Sequence, residues 1–121
     1  MGANMMTGRA QAMKIQVLYF KSCPNHEPTV ARVRRVLKRL GVDTKVSEVE
    51  VTLGDDTAAL KFLGSPTVLV DDRDIDPACR NNVRYGFGCR TYGGEGLPSE
   101  PMIERAIREA RSCYGSGDCS R

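Results

Sequence analysis

The chain has 121 residues, of which 27% are charged and 40% hydrophobic, which is ordinary for one soluble globular domain. The formal charge of +3, without clustered aromatic residues or a nucleic-acid motif, gives no indication of DNA or RNA binding. No apolar run approaches the roughly 18 residues of a membrane span, and residues 1–12 contain no signal-peptide run, so we expect neither membrane association nor secretion.

The cysteine content points to a reducing compartment. The chain contains five cysteines, an odd number, and no export signal. Under these conditions cysteines are more often reduced thiols than members of a disulfide framework, so we expect a cytoplasmic protein. Cysteine spacings of ten residues in the loop and six in the tail lack the paired short spacings of structural zinc sites. We therefore expect no zinc site and name no metal-ligating residues.

The first predicted element is a strand that leads directly to a cysteine. The segment MKIQVLYF, Met13 to Phe20, has little polar interruption, which is typical of a strand covered on both faces. The next residues, KSCPNHEP, contain Cys23 and, three places later, His26, the only histidine in the chain.

An amphipathic helix is predicted from Glu27 to Leu40. Its apolar residues recur at spacings of three and four, Pro28 suits a first helical turn, and Gly41 suits a left-handed stop. The other positions carry five basic residues, which we interpret as a solvated helix face and not as a nucleic-acid stripe. They are Arg32, Arg34, Arg35, Lys38 and Arg39.

The remaining pattern completes a βαβαββα order. It comprises a strand over 43–51, a helix over 55–64 that ends at Gly64, a strand over 67–70, a tight turn at 71–73, a short return strand at 74–75, and a final helix behind a Ser99 cap. This order predicts an α/β fold in which helices flank a central mixed sheet.

One domain over residues 13–111 accounts for these elements. We predict a disordered tail over 1–12 and a flexible tail over 112–121, which contains Cys113 and Cys119. A loop over 76–98, rich in glycine, arginine and asparagine, precedes the last helix. A loop of this length inside a compact domain is usually functional or disordered.

The position of Cys23 predicts a reactive thiol. Ligands of open α/β sheets bind beyond the carboxyl ends of the strands, where this cysteine lies. It also precedes a helix, whose free N–H groups and positive dipole end favour an anion. Lys21 and His26 add positive charge nearby. Because thiolate is the nucleophilic form, these effects point to thiol chemistry.

The segments VLYFKSCPNH and, about forty residues later, FLGSPTVLV together resemble the thioredoxin-like superfamily. The resemblance implies that Cys23 is the first cysteine of the active-site motif and that Pro66 is a cis-proline facing it. The short hairpin is closer to glutaredoxin-like members. By the same resemblance, Ser65, Pro66, Thr67 and Lys21 are candidate substrate-binding residues, because partner peptides or glutathione pair with the backbone beside the cis-proline.

The chain departs from the family pattern at His26, which stands where the second, resolving cysteine is usual. A dithiol within the turn is therefore impossible. The remaining resolving thiols are an external one such as glutathione, the loop residues Cys79 and Cys89, and the tail residues Cys113 and Cys119. We prefer Cys89, because its flanking glycines permit close approach and Arg90 would favour a thiolate.

At each of these sites a purely structural role stays open. Any of the cysteines could be inert, since cysteine is among the most buried residue types. His26 could merely cap the helix, and Pro66 could be an ordinary trans residue.

Three functions follow from the pattern, and it leaves open whether the protein is an enzyme. The first is a cytoplasmic thiol-disulfide oxidoreductase that acts with Cys23, His26 and Cys89 on a protein or small-molecule disulfide, with no bound cofactor and with glutathione as an alternative co-substrate. The second is thiol binding of a soft metal or an organomercurial, in the manner of proteins labelled alkylmercury lyase. The third is a non-catalytic peptide-binding adaptor.

Overall fold

The computed structural model of the chain describes residues 13–81, 84–86, 88, 90–94 and 96–116. The predicted tail 1–12 and the cysteines Cys89 and Cys119 lie outside these residues. Within the described residues, no helix is long and apolar enough to cross a membrane.

The elements follow the predicted order. They are the strand β1 (Ile15–Tyr19), the helix α1 (His26–Leu40), the strand β2 (Val46–Glu50), the one-turn helix α2 (Thr57–Leu60), the strands β3 (Thr67–Val70) and β4 (Arg73–Asp74), two 3₁₀ turns (Pro77–Cys79 and Tyr92–Gly94), and the helix α3 (Glu100–Ser116).

The four strands form one mixed sheet in the order β2-β1-β3-β4. β1 pairs in parallel with β2, and the antiparallel pairs are β1 with β3 and β3 with β4. The register sets Leu18 opposite Thr67. The carboxyl end of β1 therefore lies beside the start of β3, and the segments that follow β1 and precede β3 meet at one end of the sheet.

The sheet carries one apolar cluster on each face, because successive side chains of a strand point to opposite sides. The larger cluster joins Ile15 and Val17 of β1 to buried residues of α1 and α3, among them Val33 and Ile107. The smaller cluster consists of Leu18, Val51, Phe62 and Leu69. The two long helices thus cover one face of the sheet.

The basic face of α1 is exposed but paired with α3. Arg35 and Arg39 donate to Glu100 at 2.6 and 2.9 Å, and Arg39 also donates to Glu104 at 2.8 Å. These hydrogen bonds lower the pKa of both glutamates. Exposed pairs of this kind contribute little to stability individually, and they complement the apolar contact between the helices.

The structure shortens the strand predicted over 43–51 to Val46–Glu50 and moves the return strand predicted at 74–75 to Arg73–Asp74, and it differs more at two helices. The helix predicted to end at Gly64 is a single turn, because Lys61 adopts a left-handed conformation with φ of 60° and ends it. The final helix begins behind Ser99, whose hydroxyl accepts from the Met102 N–H at 3.2 Å, as predicted. It then continues to Ser116, so residues 112–116, predicted to begin a flexible tail, are helical.

We expect Ile107→Ala to lower the free energy of unfolding by about 3 kcal/mol, because it empties a fully buried site between α3 and the sheet. Urea denaturation monitored by circular dichroism would measure this loss. Leu53→Ala is the matched control, since the Leu53 side chain is 89% exposed, and it should change stability by no more than about 0.5 kcal/mol. Equal losses in both variants would contradict the packing.

Candidate functional site

Cys23 lies in the turn between β1 and α1. Its N–H donates to the carbonyl of Phe20 at 3.0 Å, and its carbonyl accepts from the His26 N–H at 3.4 Å. The side chain is buried, with 8% of the residue exposed. No described side chain hydrogen-bonds to its sulfur. The thiol therefore lies in a tight, closed turn three residues before the first helical residue, and its chemistry depends on what surrounds that turn.

The segment before β3 lies beside this turn. The Ser65–Pro66 peptide bond is cis, the isomer expected at Pro66. The Ser65 hydroxyl accepts from the Phe20 N–H at 3.4 Å. Both Ser65 and Pro66 are buried. This hydrogen bond links the residue before the cis peptide bond to the start of the segment that carries Cys23.

The long loop pairs with the backbone of Ser65. The Ser65 N–H donates to the carbonyl of Gly88 at 2.7 Å, and the Ser65 carbonyl accepts from the Arg90 N–H at 3.0 Å. Both backbone polar groups of Ser65 are thus occupied by the two neighbours of Cys89 in the sequence, although Cys89 itself is outside the described residues.

The same loop reaches both the cis-proline and the cysteine turn. The Tyr92 hydroxyl donates to the Pro66 carbonyl at 2.6 Å. A Cβ atom at Gly96 would lie 2.6 Å from the Asn25 side-chain nitrogen, so Gly96 packs directly against the C-P-N-H turn. Further on, Arg32 of α1 donates to the Pro98 carbonyl at 2.8 Å. The loop therefore extends along the end of the sheet at which Cys23 lies.

A buried ion pair holds this loop. The Arg90 guanidinium donates to the two Asp74 oxygens at 2.7 and 3.2 Å, and the side chains are 9% and 4% exposed. Arg90 also lies over the Tyr92 ring at 4.3 Å from its centroid. Burial raises the pKa of Tyr92, so its hydroxyl stays a donor. Arg90 was predicted to favour a Cys89 thiolate. That effect competes with the ion pair, because Asp74 already balances the guanidinium charge.

Cys79 belongs to the same cluster. Its sulfur lies 3.5 Å from an Arg90 nitrogen and 3.6 Å from an Asp76 oxygen, to which it donates. Burial is the main cause that raises the Cys79 pKa, and it outweighs the opposite effect of Arg90. Cys79 also lines a cleft of about 490 Å³ together with Arg80. Neither Cys23 nor Pro66 lines this cleft, so Cys79 belongs to a separate and less nucleophilic environment.

The His26 side chain faces β2. Its Nε2 atom lies 2.8 Å from a Glu48 oxygen, and its ring stacks on Tyr19 with centroids 3.5 Å apart and planes 4° from parallel. The other Glu48 oxygen accepts from Arg34 at 3.4 Å. Sequence reasoning selected His26 but missed Glu48, which is 22 residues away and joins it only through the pairing of β1 and β2.

The other predicted binding residues differ in accessibility. Lys21 is exposed at the rim of the turn. Thr67 is buried, and its hydroxyl donates to the Gly64 carbonyl at 2.6 Å and accepts from the Leu63 N–H at 3.2 Å. The Thr67 side chain is therefore engaged within the fold, whereas the Lys21 side chain is exposed and makes no hydrogen bond to any described residue.

The described residues contain no group of three or more histidine, cysteine, aspartate or glutamate side chains that could hold a metal ion. No protein-family model, curated protein or solved structure matches this chain.

We expect Gly64→Ala to lower the free energy of unfolding by about 2 kcal/mol, because Gly64 adopts a φ of +119° and is closely packed. A Cβ there would lie 2.9 Å from Arg90 Cγ and 3.1 Å from the Gly88 carbonyl. Urea denaturation would measure the loss. Gly54→Ala is the control, since its Cβ would meet nothing within 4 Å. If Gly64→Ala were as stable as this control, the close contact between the loop and Gly64 would be wrong.

Proposed function

We propose that this protein is a thioredoxin-like thiol-disulfide oxidoreductase in which Cys23 is the nucleophile. The observation that carries the proposal is the hydrogen bond that joins the segment leading into the Cys23 turn to the segment before β3. Ser65, whose peptide bond to Pro66 is cis, accepts from Phe20 three residues before Cys23. The resemblance in the sequence implies this same pairing of a helix-leading cysteine with a cis-proline.

The strand arrangement supports the finer description of the fold. A parallel β1-α1-β2 unit is followed by an antiparallel hairpin and a closing helix, in one sheet of order β2-β1-β3-β4. The thiol lies beyond the carboxyl end of β1, which pairs in parallel with β2, and open α/β sheets bind ligands beyond that end of their strands.

We further propose that Cys89 resolves the mixed disulfide. Its two sequence neighbours, Gly88 and Arg90, hydrogen-bond to both backbone groups of Ser65, the residue before the cis-proline. Cys79 is the weaker candidate, because burial raises its pKa and its sulfur contacts Arg90 and Asp76. A resolving thiol must be a thiolate close to the first cysteine, and the segment around Cys89 is the one attached beside the cysteine turn.

The reaction runs in two exchanges. The Cys23 thiolate attacks one sulfur of a substrate disulfide, which forms a mixed disulfide and releases the other substrate sulfur as a thiolate. The Cys89 thiolate then attacks Cys23, and the second substrate thiolate leaves as the Cys23–Cys89 disulfide forms. The substrate gains two electrons from the two protein sulfurs, and its two thiolates take up the two protons that the Cys23 and Cys89 thiols released to solvent when they ionised. Two molecules of a small thiol such as glutathione would return the protein to its dithiol form, which fits a reducing, cytoplasmic setting.

The test is to treat the reduced protein with glutathione disulfide and to map the cysteines by mass spectrometry. We expect wild type to form a Cys23–Cys89 bridge with release of glutathione. Cys89→Ser should stop at glutathione on Cys23, because the second exchange is lost. Cys23→Ser should show neither product.

Cys79→Ser is the matched control, since Cys79 is a loop cysteine that lines a cleft which neither Cys23 nor Pro66 lines, and this variant should still form the bridge. If glutathione stays on Cys23 in wild type, an external thiol and not Cys89 resolves the mixed disulfide. A Cys23 that forms neither a bridge nor a glutathione adduct, in a protein whose other cysteines react, would contradict the proposed function.

A further inference from the structure

A histidine, a carboxylate and a tyrosine ring form a cluster beside the cysteine turn that thiol exchange alone does not require. We propose that Glu48 is a positioning residue, which holds His26 as the proton donor and acceptor for thiol chemistry at Cys23. This inference rests on the proposed function, because it concerns protons that move during disulfide exchange.

The geometry fixes the imidazole on two sides. Glu48 lies 2.8 Å from Nε2, and the Tyr19 ring lies flat against the imidazole at 3.5 Å. The His26 side chain is only 14% exposed. A flexible surface histidine would lack both contacts, so this ring has one preferred orientation.

The partner of Nε2 decides where the mobile proton sits. An ionised carboxylate only accepts hydrogen bonds, so Nε2 must carry a hydrogen and donate it to Glu48. In the neutral ring the free lone pair is then on Nδ1, the ring nitrogen nearer the His26 main chain. That main chain is joined to the cysteine turn by the hydrogen bond from the His26 N–H to the Cys23 carbonyl. Nδ1 is therefore the ring nitrogen that the contact with Glu48 leaves free to exchange a proton.

Glu48 is itself held in place. It lies on β2 in register with Val17 of β1, and its second oxygen accepts from Arg34 of α1 at 3.4 Å. Burial and the charges of Glu50 and Glu48 raise the pKa of Tyr19, so the ring under His26 stays neutral. A base that is oriented by a third group is the arrangement that nucleophilic catalysis uses repeatedly.

The role in the reaction follows from the charges. When the Cys23 thiolate attacks a disulfide R–S–S–R′, a bond forms between Cys23 and R–S and R′–S⁻ leaves with the electron pair of the broken bond. An alkyl thiolate is a poor leaving group, and the imidazolium of His26 gives it the Nδ1 proton. The neutral ring then takes a proton from the resolving thiol. No further oxidant or reductant is needed beyond the disulfide and the thiols.

Two disulfides whose leaving thiolates differ in basicity distinguish the proposed positioning of His26 by Glu48 from a purely structural role of Glu48. Hydroxyethyl disulfide releases a basic alkyl thiolate, whereas 5,5′-dithiobis(2-nitrobenzoate) releases an aromatic thiolate that leaves without a proton. We expect Glu48→Gln to slow the reaction of Cys23 with hydroxyethyl disulfide about tenfold relative to the aromatic disulfide, which is part of the roughly 10²–10⁴-fold that general acids supply. Stopped-flow rates at neutral pH, with Cys79, Cys89, Cys113 and Cys119 replaced by serine in every variant, would measure the ratio of the two rates for Cys23 alone.

Three further variants complete the experiment. Glu50→Gln is the matched control, because it removes the same charge from the same strand and face, and it should leave the ratio unchanged. His26→Gln should lower the ratio at least as far as Glu48→Gln. The double variant should lower it no further than His26→Gln alone, because Glu48 acts through His26.

The outcomes are distinct from those that decide the proposed function. If Cys23 reacts with neither disulfide in wild type, the oxidoreductase proposal fails. If Cys23 reacts with both, and Glu48→Gln slows both equally or neither, the positioning role of Glu48 is overturned while the oxidoreductase proposal stands.

Discussion

The buried ion pair between Asp74 and Arg90 is the interaction on which the arrangement at this end of the sheet depends. Its shortest distance is 2.7 Å, and both side chains are almost fully buried. Burying two charges costs free energy, and removing one partner leaves the other uncompensated, which typically costs 3–5 kcal/mol. Because the main chain of Arg90 also pairs with Ser65, the ion pair fixes where the long loop meets the segment before β3.

That attachment shapes access to the cysteine turn. The loop occupies the N–H and the carbonyl of Ser65, contacts the Pro66 carbonyl through Tyr92, and packs Gly96 against Asn25. An external peptide would have to displace the loop before it could pair with Ser65.

The sequence predicted β1, α1 and β3 well and the helix after β2 poorly. β1, α1 and β3 could be predicted because their apolar residues are consecutive or regularly spaced. The Ser99 cap marks the start of α3 correctly. The helix after β2 was predicted too long, because Phe62 turns inward to the smaller apolar cluster and Lys61 ends the helix after one turn. Local propensity cannot anticipate a tertiary contact of this kind.

The sequence by itself determined which reactive residues the candidate site contains and where they lie relative to the strands and helices. It places Cys23 between a strand and a helix, Pro66 directly before another strand, and His26 three residues after Cys23. Only the tertiary structure decided the partners, namely Glu48 for His26 and Asp74 for Arg90. These pairs join residues 22 and 16 positions apart, and strand register and burial bring them together. Periodicity reports which face a residue occupies but not which distant residue meets it there.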